Sequence, residues 1–318
     1  MKRRTFITLP ALTLPLSGAF AQASAGKTVR IVVPLSTGTP TDSVARMVAT
    51  RLGPLLGQTV VVDNKPGANG VLAVQDVMRS ATDGTTLMLG SVSPLAINMA
   101  MVKNLPYDPR RDLTPITAIY SNNHAWTVHS SVPVRSIPEL IAFLKERPGK
   151  VSAGHSSALM HIQLAALEKM AGVELLVVPY KSTATNITDL LGGTLSLGLL
   201  DMGTALAQEK AGQVRILGVS TLKRNPLAPH WPAMSETLPG FDFPSWAALV
   251  GPPGMPRDVV NRIHAALAEI LKDKDFVENL AKVGSVPLAM GPDELKAYID
   301  AEVVKWMRLG REAKIEPQ

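Results

Sequence analysis

The chain has 318 residues, 46% of them apolar and 18% charged, a length that suits two domains or one large α/β domain. It holds no cysteine, which excludes disulfides, thiolate metal sites, a cysteine nucleophile and a lipid-anchored cysteine. Its formal net charge of +6 is spread along the chain, with no basic block or basic–aromatic stripe of the kind nucleic acid requires.

The first element is a leader. Lys2, Arg3 and Arg4 precede an apolar run, Phe6 to Phe20, broken by Pro10 and Pro15 and followed by Ala21-Gln22-Ala23-Ser24-Ala25. A basic start, a short apolar middle and small residues at the end predict a secretory signal peptide over residues 1–25, cut after Ala23 or Ala25. The run is too short and too broken for a transmembrane helix. Arg3-Arg4-Thr5-Phe6-Ile7 also fits a twin-arginine signal, so both export routes stay open. The leader has no acid, so the exported chain keeps +3 of the formal +6. A bacterial-type signal without an anchor points to the periplasm.

Strand-length apolar runs then alternate with helical patterns. Val29 to Val33 reads as a strand, Thr41 to Leu56 as a helix and Val60 to Val62 as a strand. A turn at Lys65-Pro66-Gly67-Ala68-Asn69-Gly70 leads to a helix from Val71 to Ser80 and a strand from Thr86 to Gly90. This βαβαβ run predicts a parallel sheet with right-handed crossovers. A second series starts near Ala125. Strands are expected at Trp126–His129, Val151–Ala153, Leu175–Val178, Leu195–Leu200 and Val214–Val219. Helices are expected at Ile137–Glu146, Ala158–Met170, Thr183–Leu191 and Thr204–Lys210. A region rich in proline and glycine, Pro226 to Pro256, holds one short strand, Ala247 to Val250. Helices over Pro256–Lys272, Lys274–Lys282 and Pro292–Lys314 finish the chain.

Ligands of open α/β sheets sit beyond the carboxyl ends of the strands. Five loops lie there: Pro34 to Asp42, Ser91 to Pro94, Gly154 to Ser157, Pro179 to Thr183 and Asp201 to Thr204. Each carries small hydroxyl or glycine residues just before a helix. A helix start offers free N–H groups and partial positive charge, so such loops bind carboxylates or phosphates without many arginines. Any one Ser or Thr there can be a helix cap alone; five loops together point to a ligand cleft. Asp42 is a cap or faces the ligand, Lys181 pairs with a ligand carboxylate or lies on the surface, and Asp201 receives a ligand donor or holds loop N–H groups.

Gly154-His155-Ser156-Ser157-Ala158 differs by one alanine from the G-x-S-x-G nucleophile elbow. A secreted serine hydrolase using Ser156, with Asp201 and His230 or His264, is therefore the rival reading. His155 and His161 lack the i, i+4 spacing of a helical metal pair. Phosphate-loop and dinucleotide motifs are absent, so no metal, nucleotide or other cofactor is expected. Trp126 and Trp246 are either core residues or partners for an aromatic ligand.

The whole exported chain resembles the extracytoplasmic solute receptors of the tripartite tricarboxylate transporters, the Bug receptors. Val33-Pro34 through Pro40-Thr41-Asp42 resembles the family's P-F-x-x-G-G-x-x-D loop. Gly57 to Ala68, GQTVVVDNKPGA, resembles G-Q-x-V-V-V-E-N-R-P-G-A. Asp83 to Leu87, Leu105 to Asp112, Val178 to Lys181, Asp189 to Gly193, Ser245-Trp246 and Gly251 to Pro256 match further blocks. The resemblance implies an α/β two-lobe, Venus-flytrap fold, each lobe a mostly parallel sheet flanked by helices. Residues 26–124 plus 223–318 would form one lobe and residues 125–222 the other. It implies no catalysis, a small carboxylate as ligand, membrane transporter subunits as transient partners and a monomeric receptor. A sensing role beside a membrane partner is equally compatible. Ser36, Thr37, Gly38, Thr39, Ser182 and Thr183 would hold the ligand. Asp42, Ser91, Ser93, Gly154, His155, Ser156, Tyr180, Lys181 and Asp201 would complete the site. Thr39 and Ser182 stand where the family usually has glycine, and Met202-Gly203 stands where Asn-Leu is common, which implies an atypical substrate.

Overall fold

The computed structural model describes residues 26–312. The leader expected over residues 1–25 lies outside the described residues, as does the end of the helix expected to reach Lys314.

Two sheets organise the chain. Strands β1 (Val29–Val33), β2 (Val60–Asn64) and β3 (Thr86–Ser91) alternate with helices α1 (Pro40–Leu56) and α2 (Val71–Met78). The chain then passes through a π-helical turn, Ser93–Ile97, and a short helix α3 (Asn98–Met101) into β4 (Thr114–Asn122). One residue later β5 (His124–His129) begins. There follow α4 (Ile137–Lys145), β6 (Ser152–His155), α5 (Ala158–Ala171), β7 (Leu176–Pro179), α6 (Thr183–Leu191), β8 (Leu197–Asp201), α7 (Met202–Lys210) and β9 (Val214–Val219). The chain closes with β10 (Ser245–Gly251), α8 (Arg257–Ile270), α9 (Lys274–Lys282), β11 (Ser285–Pro287) and α10 (Pro292–Glu312).

The first sheet has the order β11-β4-β10-β3-β1-β2 and the second β7-β6-β8-β5-β9. The parallel runs expected from the βαβ pattern are β2-β1-β3 and β7-β6-β8. Beside them, β10 and β5 run antiparallel to both neighbours. Both sheets are therefore mixed: β10 and β11 run against the other strands of the first, and β5 against those of the second. Strand β4, which the sequence reading passed over, delivers the chain to the second sheet. Its TPITAIYSN sequence has a proline near the start, a mark against a central strand. The conflict resolves locally, since β11 pairs only with Tyr120–Asn122 and Pro115 lies beyond the end of that edge.

The helices start and stop for local reasons. Pro40 occupies the first turn of α1, where its missing N–H costs nothing, and Gly57 ends the helix with φ 66°, a left-handed conformation that suits glycine.

An apolar core runs through both lobes, joining Val32 and Met88 of the first to Leu159 and Ile162 of the second. Four aromatic rings thread it. Trp126 meets Phe241 at 5.7 Å, Phe241 meets Phe243 at 4.6 Å, and Phe243 meets Trp306 at 5.9 Å between centroids. Trp126 and Trp246 are both fully buried, so both belong to the core.

The two crossings between sheets are tied by one buried amide. Gln163, with no exposed surface, donates through Nε2 to His124 Nδ1 at 3.1 Å and to the Phe243 carbonyl at 3.2 Å. Its Oε1 accepts from Ser220 Oγ at 2.8 Å. Ser220 in turn accepts from Trp126 Nε1 at 3.0 Å. With Nδ1 accepting, His124 is neutral with its proton on Nε2. Burial pulls its pKa to about 4, against the pull of the Asp201 charge.

Phe243→Ala removes a ring that links the lobes' cores and should cost about 3–5 kcal/mol. A urea titration followed by tryptophan fluorescence would read this as a lowered midpoint; an unchanged midpoint would show that the aromatic thread carries no stability.

Candidate ligand cleft

The loop after β1 is held in shape by its own cap and by groups beneath it. Thr39 Oγ1 caps α1 by accepting from the Asp42 N–H at 3.3 Å and donates to the Ser36 carbonyl at 3.0 Å. Asp42 is only 2% exposed. It accepts from the Gly38 N–H at 2.9 Å, from Asn64 Nδ2 at 3.0 Å and from Arg46 Nε at 3.2 Å. Asn64 Nδ2 also donates to the Leu35 carbonyl at 3.0 Å, and Thr37 Oγ1 donates to Asn64 Oδ1 at 3.3 Å. Burial pushes the Asp42 carboxyl up, but these three donors and the Arg46 charge outweigh it and hold it below its usual range.

Three helix starts meet this loop from the second lobe. Ser157 caps α5 by accepting from the Met160 N–H at 3.3 Å, and Ser182 caps α6 by accepting from the Thr185 N–H at 3.2 Å. Asp201 caps α7, taking the Thr204 N–H on Oδ1 at 3.0 Å and the Thr204 hydroxyl on Oδ2 at 2.8 Å. Thr39 and Ser182 are therefore helix caps in extended backbone, which explains why neither position needs glycine.

Between the loops lies a cleft of about 650 Å³. Of the residues expected there, Ser36, Thr37, Gly38, Thr39, Ser156, Lys181, Ser182, Thr183 and Asp201 line it. The others lie elsewhere. Asp42 sits beneath the first loop. Ser91 ends β3 and Ser93 opens the π turn, which packs on α5. Gly154 is buried under α6, where a methyl would meet Leu195 and come within 2.7 Å of Asn186 Oδ1. Tyr180 turns away to donate to Asp189 at 2.6 Å. His155 stacks on His161 with ring centroids 4.6 Å apart, and burial together with the neighbouring imidazole pulls its pKa to about 4. Leu35, Pro40, Ser43, Ala184, Ile187, Gly203, Thr204 and Val283 complete the lining and were not expected. Most adjoin expected residues, but Val283 comes from the α9–β11 turn, far along the chain, and carries no strand-end signal.

The charges are few. Lys181 is exposed to the cleft and, among the described residues, makes no ion pair. The acid, Asp201, has both oxygens engaged by Thr204. Such a cleft can hold an anion through hydroxyls, helix starts and one ammonium.

It cannot assemble a serine triad. Ser156 Oγ pairs with Thr183 Oγ1 at 3.0 Å and lies 3.6 Å from Met160 Sδ. His264 is bonded to Thr117 at 2.8 Å, and His230 lies 3.6 Å from Glu209.

Residues 44–315 match the model of the tripartite tricarboxylate transporter family receptor, TctC. The chain belongs to that family. Solved TctC-like structures share its fold. Rpa4515 of R. palustris, determined with adipate, is 30% identical with a TM-score of 0.85, covering 93% of this chain and 100% of its own. The periplasmic binding protein BugD is 32% identical with a TM-score of 0.81, over 92% and 99%. MatC of Rhodopseudomonas palustris, determined with malate, is 25% identical with a TM-score of 0.79, over 89% and 98%. TctC proteins are non-catalytic solute receptors, which overturns the hydrolase reading of Ser156. In this family setting Ser156 is a hydroxyl on the cleft wall.

Asp42→Asn would place an amide among donors and should cost roughly 2–3 kcal/mol at neutral pH. The folded pKa of Asp42 lies below its usual 3.8. Its contribution is therefore complete above that value and is lost as pH falls through the lower folded pKa. The stability gap between wild type and Asp42→Asn should narrow in that acid window, as read from urea midpoints across pH. A gap independent of pH would refute the lock.

Proposed function

We propose that this receptor captures a small organic acid in the periplasm and presents it to membrane subunits of a tripartite transporter. The observation that carries the reading is the convergence of four helix starts on a cleft whose free charge is Lys181. Backbone N–H groups and hydroxyls would hold the carboxylate, with Lys181 adding attraction. The adipate and malate bound by Rpa4515 and MatC support a carboxylate as ligand. Residues 26–124 plus 223–318 would move as one body against residues 125–222, hinged at the two crossings. A ligand favours closure only by touching both lobes, and the cleft offers groups from each. Residues 1–25 would serve as the export signal, by the general or the twin-arginine route. The receptor would act as a monomer without cofactor or nucleic acid, passing its ligand to the transporter in a transient contact.

The test is a thermal-shift screen of residues 26–318 against adipate, malate and related acids, each beside its diamide. The melting point should rise with an acid and not with its amide. Lys181→Met should then weaken the chosen acid roughly tenfold to a hundredfold by calorimetry, the loss of one charge-assisted contact. Equal shifts with amides, or with neutral sugars alone, would overturn the carboxylate reading.

A further inference from the structure

Beside the first crossing, where Ser285 pairs with Asn122 and Asp201 pairs with His124, the two lobes meet backbone to backbone, at Gly203 of α7 and Gly284 of the turn between α9 and β11. A methyl built on Gly284 would lie 2.5 Å from the Gly203 nitrogen and 2.6 Å from Met202 Cβ. From the other side, a methyl on Gly203 would lie 3.4 Å from the Val283 carbonyl carbon and 3.6 Å from the Lys282 oxygen. Gly203 and Val283 are themselves cleft-lining residues.

Neither side can yield. Met202 is fully buried in the second lobe, and α7 is pinned at its start by the Asp201 cap. Across the contact, the Gly284 N–H donates to the Ala281 carbonyl at 2.9 Å and φ at Gly284 is 75°. Leu280 below it is fully buried, and Ser285 beside it pairs with Asn122 of β4. Two rigid backbones in contact form a hard limit, since packed elements move as units and do not compress. A side chain that the contact has no room for, a methyl on Gly284 or a branched chain on Gly203, would hold the lobes farther apart, and with them the Ser36–Thr39 loop and the Ser182–Thr183 loop.

We propose that the Gly203–Gly284 contact is the closure stop of this receptor, setting the width of the cleft and hence the length of acid it accepts. The specificity half rests on the carboxylate reading above; the mechanical half does not.

The experiment exploits the absence of cysteine. Lys210→Cys on α7 and Lys274→Cys on α9, both exposed, take spin labels on opposite sides of the contact. The shortest populated separation is read by pulsed dipolar spectroscopy in wild type, Gly203→Ala, Gly203→Leu and Gly284→Ala. Gly203→Ala fits at ordinary contact distance and should leave the separation unchanged. Gly203→Leu and Gly284→Ala should lengthen it by a few ångström. Gly284→Ala also strains a left-handed backbone and lowers stability. Gly203 has no left-handed φ, so Gly203→Leu tests the stop without that strain. Unchanged separations in a folded Gly203→Leu would overturn the stop. Binding is then measured with straight-chain dicarboxylates from succinate to suberate. The ratio of affinities should move toward the longer acids by about fivefold or more in Gly203→Leu, roughly 1 kcal/mol of altered preference. A lengthened separation with an unchanged ratio would overturn the specificity role alone. If wild type binds none of these acids, the role in chain-length preference is overturned, the carboxylate reading is decided by the acid and amide screen above, and the stop is still decided by the separations.

Discussion

The buried amide of Gln163 fixes where the chain passes between the sheets, and the geometry of the cleft depends on that placement. It reaches His124 at the first crossing, Ser220 at the second and the carbonyl of Phe243 on the return path. A buried amide is worth keeping only when its polar atoms are partnered, and here each of them is. Gln163 and Ser220 have no exposed surface, and the aromatic rings from Trp126 to Trp306 run beside them. The loops of the two lobes therefore face each other from frames joined at a buried polar hub. Movement between the lobes has to bend the chain beside that hub, at Asn123 and at Thr221, whose side chains are hydrogen-bonded to each other at 3.3 Å.

The cleft shows a division of labour between charged and neutral groups. Asp42, buried, and Arg46, exposed above it, are engaged with each other and hold the first loop in shape. The surfaces that line the cleft are mainly hydroxyls, glycine backbone and helix starts. Short neutral donors bind an anion only where they are aimed, so this arrangement favours position over raw attraction. Lys181 adds one mobile charge. A second carboxylate of a ligand would meet the same hydroxyls and helix starts, while Asp201, occupied by Thr204, is kept from acting as a free acceptor.

Ser156 shows how one local motif serves two chemistries. A strand, a tight turn and a helix place a hydroxyl at the mouth of a sheet whether or not it is to become a nucleophile. A base within reach distinguishes the two. Here Ser156 faces Thr183, and the histidines are bonded to partners elsewhere or stacked on each other. The same strand-turn-helix unit at β1, β6, β7 and β8 makes a receptor wall.

The element pattern was legible because apolar periodicity reports directly on backbone geometry. The strands, the helices and the capped loops follow from residues a few positions apart, and so does the place of Ser36 to Thr39 and Lys181 to Thr183 in loops beyond the strand ends. Strand β4 escaped because Pro115 signals against a central strand, and only the short reach of β11 makes it acceptable. The inward turn of Asp42, the packing of Gly154 under α6 and the pairing of Tyr180 with Asp189 were equally hidden. In each case the deciding partner is not marked by a local signal: Asn64 for Asp42, Asn186 and Leu195 for Gly154, and the direction of one hydroxyl for Tyr180. Val283 and the Gly203–Gly284 contact lie farthest from sequence reading. By itself the sequence determined which segments are strands, which loops begin helices and which of those loops carry small donors, since these depend on neighbours along the chain. Which donors share a cleft, and how closely the lobes approach, was decided only by the tertiary structure, because both depend on packing between segments that are not neighbours along the chain.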